Sequence, residues 1–390
     1  MEFLPEHGFD IEVVTLPTQW MEYQSRHALG GESVGAHQPE AMTDQLVRYI
    51  STVRYVNWVQ RAILVPDLLA LWARAAARRM SRELHGIDAV YGTSPPYSGM
   101  VAAQRLADAL GVPCIQELRD PPSFHRALRR RSDFYSRRML RFERRYLTRA
   151  DQVITVTPRT RQRLLDLHPG LDPSRVHVVT NGYPDIDVDP AKAGRDPEKF
   201  TLTYVGTFQG SVKARESSVF TPAVLLEALS ALPADKVSLR IVGSVSNQQK
   251  RNLKKLDPNG VVEFTGLLER ETALAETAAA DVAVILADDD DWWIGRKAFE
   301  YLRHAHTILA IVPPGDTTDL LKSHSRVDVV SPHDLAAIPA VVKARFEDWL
   351  RGDWERGPVP ESIQTDRSCV AEIAGVLTQA ISDVVPATEI

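Results

Sequence analysis

Cysteine is nearly absent from this 390-residue chain: only Cys114 and Cys369 occur, in apolar or helical surroundings and at no metal-ligand spacing. A disulfide scaffold is excluded and no cysteine zinc site is offered, so reduced thiols in a cytosolic protein are the expectation. Long apolar runs are missing as well. No segment approaches the ~20 residues that a membrane-spanning helix needs. Residues 1–10 hold acids instead of a basic and then apolar leader, so a cytoplasmic location is expected. Positive charge is not in excess either. The net charge is −5, and nothing in that balance calls for nucleic acid. Short-period repeats and low-complexity tracts are lacking, which argues against solenoids and fibrous arrays. What remains is an ordinary globular composition, 44% hydrophobic and 25% charged, on a chain too long for one typical core. Two α/β domains are expected.

Apolar runs alternate with helical stretches along most of the chain. The pattern predicts strands over 11–16, 89–91, 113–118, 153–156 and 176–179, with helical stretches over 43–84 and 98–110 and after Thr157-Pro158. Asn181-Gly182 is a turn signal. Residues 183–199 carry Pro, Asp and Gly without apolar periodicity and are expected to link the domains. A second alternation begins at Phe200, with strands expected over 202–205, 239–242, 261–264, 282–286 and 308–312. Residues 351–366 read as a connector and 369–384 as a terminal helix. The expected organisation is a first domain over 1–182, a linker over 183–199, a second domain over 200–365, and a helix and tail over 366–390.

The loop and helix after the run Val282-Ala283-Val284-Ile285-Leu286 carry the clearest chemistry. In parallel sheets, ligands bind beyond the carboxyl ends of strands, where loops open into helix N-termini. Here Lys297 and Glu300 lie three residues apart on one predicted helical face. A helix N-terminus attracts phosphate, a lysine adds charge, and a carboxylate accepts hydrogen bonds from sugar hydroxyls. Gly206 and Thr207 follow a strand and can present backbone N–H groups to a diphosphate; Lys213 and Arg215 come next in the same loop. Thr93 and Ser94 end one strand of the first half, and Arg119 and Asp120 end another. Ten arginines fall within 126–149 against Asp133 and Glu143, interleaved with Phe134, Tyr135, Phe142 and Tyr146. That segment fits either contact with an anionic membrane surface or a solvated helix whose apolar stripe joins the core.

With that layout the chain resembles a retaining glycosyltransferase of the GT-B fold, in family 4 and its bacterial "KLFEYL" subgroup. Tyr91-Gly92-Thr93-Ser94-Pro95-Pro96 with Arg119-Asp120-Pro121 is similar to a "TSPP … RDPW" pair. Ala150-Asp151-Gln152-Val153 and Asn181-Gly182 resemble an "ADxV … NG" run, Tyr204-Val205-Gly206-Thr207 a donor loop, and Gly295 to Leu302 "xxKLFEYL". The resemblance implies two Rossmann-like domains facing a cleft, with a C-terminal helix crossing back to the first domain. It implies donor binding by Gly206, Thr207, Lys213, Arg215, Lys297 and Glu300, an acceptor side at Thr93 and Ser94, and Arg119 and Asp120 in the catalytic role. The implied partners are a nucleotide-diphosphate sugar, acting as co-substrate with no other cofactor and no metal, and a sugar, lipid-linked or small-molecule acceptor.

Several positions depart from that family. Counting back from Glu300 puts Trp292 where many members carry a first glutamate, and Ala305-His306-Thr307 stands where Gly-Lys-Pro is common. Phe3-Leu4-Pro5-Glu6-His7-Gly8 already matches the end of the family's first helix, so a first strand and its Gly-rich loop are expected to be missing. Those departures keep two other readings in view, a GT-B sugar-nucleotide epimerase or inverting transferase, and a degenerate binding or regulatory subunit. Asp288 to Asp291 suits a metal clamp by composition, although a solvated loop is the expectation; His304 and His306 are expected at the surface.

Overall fold

The computed structural model describes residues 3–14, 36–37, 65–67, 69–124, 133–206, 223–287, 291–322, 324–352 and 359–384. The chain divides into two compact units, one of residues 1–180 with 370–390 and one of residues 181–369.

In the first unit, β1 (Val13–Val14) pairs in parallel with β2 (Ala36–His37). Among the described residues this ribbon stands apart from the main sheet; of the strand predicted over 11–16, residues 15 and 16 lie outside the described residues. The main sheet is parallel, in the order β3 (Val90–Ser94), β4 (Cys114–Leu118), β5 (Gln152–Thr155), β6 (Val176–Val178). Both faces of β4 and β5 are covered, so Cys114, Ile115, Leu118, Val153 and Ile154 have no exposed surface. Around the sheet lie α1 (Ala70–Glu83), α2 (Ser98–Leu110), α3 (Asp133–Leu147) and α4 (Pro158–Leu167). Thr157 caps α4 by accepting the Thr160 N–H at 3.1 Å, with Pro158 in the first turn.

In the second unit the parallel order is β12-β11-β10-β7-β8-β9. These strands are β7 (Phe200–Val205), β8 (Val237–Val242), β9 (Val262–Gly266), β10 (Val282–Leu286), β11 (Ile308–Ile311) and β12 (Val327–Val330). The chain starts in the middle at β7, builds β8 and β9 to one side, then returns to β7 and builds β10 to β12 on the other. That is a doubly wound sheet, and its winding reverses between β7 and β10. Its helices are α5 (Ala223–Ser230), α6 (Asn247–Leu256), α7 (Arg270–Ala279), α8 (Arg296–His304), α9 (Asp316–Leu321) and α10 (Ile338–Arg351). Phe200 and Phe346 meet edge to face with ring centroids 5.6 Å apart and fasten α10 onto β7.

Residues 183–199 group with this second unit and are tied to it at three points. Lys192 pairs with Glu271, Arg195 pairs with Asp281, and the Gly194 N–H donates to Glu276. Glu276 also receives a bidentate grip from Arg240 at 2.8 and 2.9 Å, both side chains being almost fully buried. The terminal helix α11 (Asp366–Val384) begins in the second unit and from Val370 belongs to the first. Two α/β units with a shared terminal helix constitute the GT-B architecture.

Candidate functional site

At the carboxyl end of β7, beside the reversal point, Gly206 follows the strand, and Gly243 follows the neighbouring β8. The Gly206 N–H donates to the Val242 carbonyl at 2.7 Å, which carries the ladder one residue beyond the strand. Both glycines have positive φ, +150° and +136°. A Cβ on Gly243 would sit 2.3 Å from the Gly206 carbonyl oxygen, and one on Gly206 only 2.1 Å from Lys297 Nζ. Gly243 therefore needs glycine for both conformation and space, and Gly206 for its conformation, a side chain there also displacing the Lys297 ammonium.

Lys297 comes from the first turn of α8, whose N-cap is Gly295. Its Nζ lies over Gly206, 5.4 Å from the Tyr204 ring centroid. The residue stays open to solvent, but protein packed around the ammonium displaces part of its hydration. That desolvation lowers its pKa, and the charge of Glu300 opposes the shift. Lys297 makes no ion pair among the described residues. Beneath it, the Val205 N–H donates to the hydroxyl of fully buried Tyr301 at 3.2 Å, fixing α8 against the end of β7. Burial raises both phenols, Tyr301 well above the usual range and Tyr204 to about 12, so both remain neutral donors and acceptors.

Glu300 points elsewhere than a simple pairing with Lys297 would place it. Its Oε1 is 3.1 Å from Arg270 at the start of α7 and 3.5 Å from Arg296, one turn earlier on α8. Arg296 in turn binds Asp366, the first residue of α11. Glu300 is largely shielded, at 15% side-chain exposure, while Arg270 and Arg296 are more open. Two guanidiniums thus orient the Glu300 carboxylate on α8.

Thr207, Lys213 and Arg215 lie outside the described residues, as do Asp288, Asp289 and Asp290. Asp291 accepts the Asp316 N–H through its backbone carbonyl at 2.8 Å, and no group of metal-ligating side chains occurs among the described residues. His304 corrects the surface expectation. It is 3% exposed, because the end of α8 turns its inner face into the core.

In the first unit the residues expected on the acceptor side meet at the carboxyl ends of β3 and β4. The Thr93 hydroxyl donates to Glu117 Oε2 at 2.5 Å, and the buried Ser94 hydroxyl donates to the Glu117 carbonyl at 3.1 Å. The Arg119 N–H donates to the Ser94 carbonyl at 3.0 Å. Neither hydroxyl caps α2, whose N-cap Tyr97 has no side-chain cap. Instead the Ser98 N–H donates to Asp67 at 2.9 Å. Arg119 is exposed and Asp120 half-buried; the charge of Asp120 helps burial raise the Tyr97 phenol, and that of Arg119 opposes the rise at Tyr91.

Sequence reasoning missed Glu117, Gly243, Arg270, Arg296 and Tyr301. Only Gly243 had a readable signal, as a glycine directly after a strand. The others are ordinary residues whose neighbours come from distant parts of the chain.

Comparison with known proteins agrees with the fold. Residues 1–182 match the family model described as the glycosyl transferase 4-like domain. No curated protein sequence matches the chain significantly. Among solved structures, the chain is similar to Anabaena Alr3699/HepE in complex with UDP and glucose, at TM-score 0.51 and 15% identity over 82% of each chain. It is also similar to a glycosyltransferase from Rickettsia africae, at TM-score 0.54 and 13% identity over 98% of this chain and 89% of that one. Sucrose-phosphate synthase from Thermosynechococcus elongatus gives TM-score 0.54 and 15% identity over 82% and 76%. At such identities these likenesses speak for the fold alone. The chain has the GT-B fold, and its residues 1–182 match a glycosyl transferase 4-like domain.

Proposed function

We propose that the protein is a metal-independent glycosyltransferase that moves a hexose from a nucleotide-diphosphate sugar to an acceptor hydroxyl with retention. The observation that carries this reading is the ammonium of Lys297 seated over Gly206 at the switch point of the second sheet. Diphosphate oxygens would meet the Lys297 ammonium and the free N–H groups at the start of α8, which has no side-chain cap. Glu300, held by Arg270 and Arg296, would accept hydrogen bonds from ribose hydroxyls. Thr207, Lys213 and Arg215, outside the described residues, belong to the proposed donor set through the family resemblance.

In the transfer, the bond from the sugar's anomeric carbon to the diphosphate oxygen breaks, and its electron pair leaves with the diphosphate. The acceptor oxygen forms the new bond from the same face, and its proton passes to a donor phosphate oxygen. Negative charge grows on the diphosphate, where Lys297 and the helix N-terminus stabilise it. Thr93, Ser94, Arg119 and Asp120 are proposed to shape the acceptor side, and the product is proposed to serve polysaccharide, cell-envelope or secondary-metabolite synthesis.

A cytoplasmic protein touching the inner membrane face is part of the proposal. On α3, Arg137, Arg141, Arg144 and Arg145 are exposed, and Arg138 lies 5.5 Å from the ring of exposed Phe134. The only acid within this helix beyond its first residue, Glu143, is buried. A basic face with an exposed aromatic suits anionic lipid. Failure of the protein to sediment with phosphatidylglycerol vesicles at low salt would leave α3 a solvated helix.

The activity test is release of nucleoside diphosphate from a panel of UDP-, GDP- and ADP-sugars with and without EDTA. Turnover that survives EDTA supports the metal-free reading, and turnover restored only by Mn²⁺ would transfer the charge-stabilising role to a metal. Binding without release would identify a regulatory subunit instead.

A further inference from the structure

We infer that Trp293 is the platform on which the transferred hexose stacks; this rests on the nucleotide site proposed above and names the part of it that reads the sugar. Trp293 follows the carboxyl end of β10 and is 37% exposed, whereas its neighbour Trp292 is 4% exposed. The sequence alone does not separate these two tryptophans. The structure does, because one indole enters the core and the other is displayed at the ligand end of the sheet.

Trp293 is held at two points, one on its backbone and one on its ring. Its backbone carbonyl accepts the Thr317 hydroxyl. Its ring lies on Gly295, where a Cβ would come 2.3 Å from Cη2 and 2.8 Å from Cζ2. Gly295 has φ −68° and ψ 141°, a conformation open to any residue, so the ring contact and not the backbone demands glycine. This position is the N-cap of α8, where Ser, Thr, Asp or Asn would ordinarily supply a capping oxygen. The chain gives up that cap and seats an indole there. One turn of the loop is fixed as well, since the Asp291 carbonyl accepts the Asp316 N–H at 2.8 Å. An aromatic face locked in place yet left open loses little entropy on binding a ligand.

The order of groups along α8 assigns the ligand part. Glu300 faces the ribose, Lys297 the diphosphate, and Gly295 ends the helix. At a rise of about 1.5 Å per residue, Glu300 stands about 7 Å behind the N-cap, on the scale of a diphosphate link. The group joined to the far phosphate is the hexose, and beyond the N-cap the next side chain is Trp293. A pyranose presents a face of C–H bonds, and these pack against an indole while its hydroxyls stay hydrogen-bonded at the rim.

The test compares each nucleoside diphosphate with its sugar conjugate by calorimetry, using UDP with UDP-glucose, GDP with GDP-mannose and ADP with ADP-glucose. Trp293→Ala should weaken the sugar conjugate about tenfold while changing the bare diphosphate by no more than about twofold. Trp293→Phe should keep the conjugate within about threefold of the unmodified protein, and Trp293→Leu, with bulk but no ring, should behave like alanine. Equal loss for both ligands would mean that the indole stacks on the base or merely supports the loop. No loss for either, or leucine matching phenylalanine at unchanged melting temperature, would also overturn the inference. Should the unmodified protein bind neither the diphosphates nor the conjugates, the transferase reading itself fails and this assignment goes with it. Where Trp293→Ala does not fold, the phenylalanine and leucine variants decide.

Discussion

In the unit of residues 181–369 the sheet grows from β7 in both directions, while in the other unit the described strands β3 to β6 follow one another outward in chain order. The carboxyl ends of the strands differ accordingly. In the first unit they are closed on themselves: Thr93 and Ser94 both bond to Glu117, and Arg119 bonds to Ser94 through its backbone. In the second unit the ends of β7 and β8 are two glycines with a lysine lying across one of them, and a carboxylate is braced alongside by two arginines. A switch point separates neighbouring loops and leaves a crevice for a ligand, whereas strands wound one way keep their loops in contact. Under the proposed function, that contrast puts anion binding in the second unit and the acceptor side on the hydrogen-bonded strand ends of the first.

The largest test of that contrast addresses whether the units are independent at all. Arg240→Ala would strand Glu276 as a buried, unpaired carboxylate, at a cost of about 3–5 kcal/mol. Hydrogen exchange should quicken at β7 and β8 and stay unchanged at β4 and β5. Equal loss of protection in both units would show a single cooperative body and break the comparison.

Next in size is the ammonium. Lys297→Ala should weaken nucleoside diphosphate binding by about 1.5–3 kcal/mol, roughly 10- to 150-fold in Kd, because charge-assisted hydrogen bonds are lost. Gly206→Ala should mimic it, since the new methyl group takes the place of Nζ. Binding by Gly206→Ala at full affinity would remove the β7 end from the site. Glu300→Ala should fall toward the lower end of that range, with calorimetry as the measure; unchanged affinity in a folded variant would free Glu300 from any ribose role.

A smaller effect concerns pH. Desolvation holds the Lys297 pKa below the ordinary lysine value in the free protein, and a bound diphosphate would raise it again. Between the lowered free value and the raised bound value, binding therefore takes up a proton, and affinity declines as pH rises through that window. Calorimetry in two buffers of different ionisation enthalpy should reveal the uptake, and Lys297→Met should abolish it. Proton release in place of uptake would contradict the assignment.

The smallest expected change is at Thr93. Thr93→Val removes the hydrogen bond to Glu117 but should alter diphosphate affinity by less than about twofold, because that bond lies in the other unit and contributes only about 1 kcal/mol to stability. A large loss of diphosphate binding would mean that the first unit reaches the nucleotide.

Most strands were legible because buried parallel strands are apolar on both faces; β10 coincides with its predicted span and β7 differs only by two residues at its start. β12 was not legible. Its Val327-Asp328-Val329-Val330 run contains an acid, and only the fold shows why it is tolerated: Arg345 of α10 grips Asp328 at 2.7 and 2.9 Å on an edge strand. How the stretch over 183–199 is tied to the second unit was not legible, because its anchors are single contacts of Lys192, Gly194 and Arg195 with Glu271, Glu276 and Asp281, 79 to 86 residues away in sequence.

By itself the sequence determined the alternation of strands and helices, the α/β class and the location of Lys297 and Glu300 on one short helix, because local periodicity and turn chemistry specify those. Tertiary structure decided everything that depends on contacts distant in sequence. It turned Lys297 onto Gly206 and away from Glu300, gave Glu300 the arginines of two helices, and buried Trp292 while leaving Trp293 open. A helical period indicates which residues share a face. What that face meets depends on the sheet order, and in a doubly wound sheet that order places β7 beside a strand some 80 residues later in the chain.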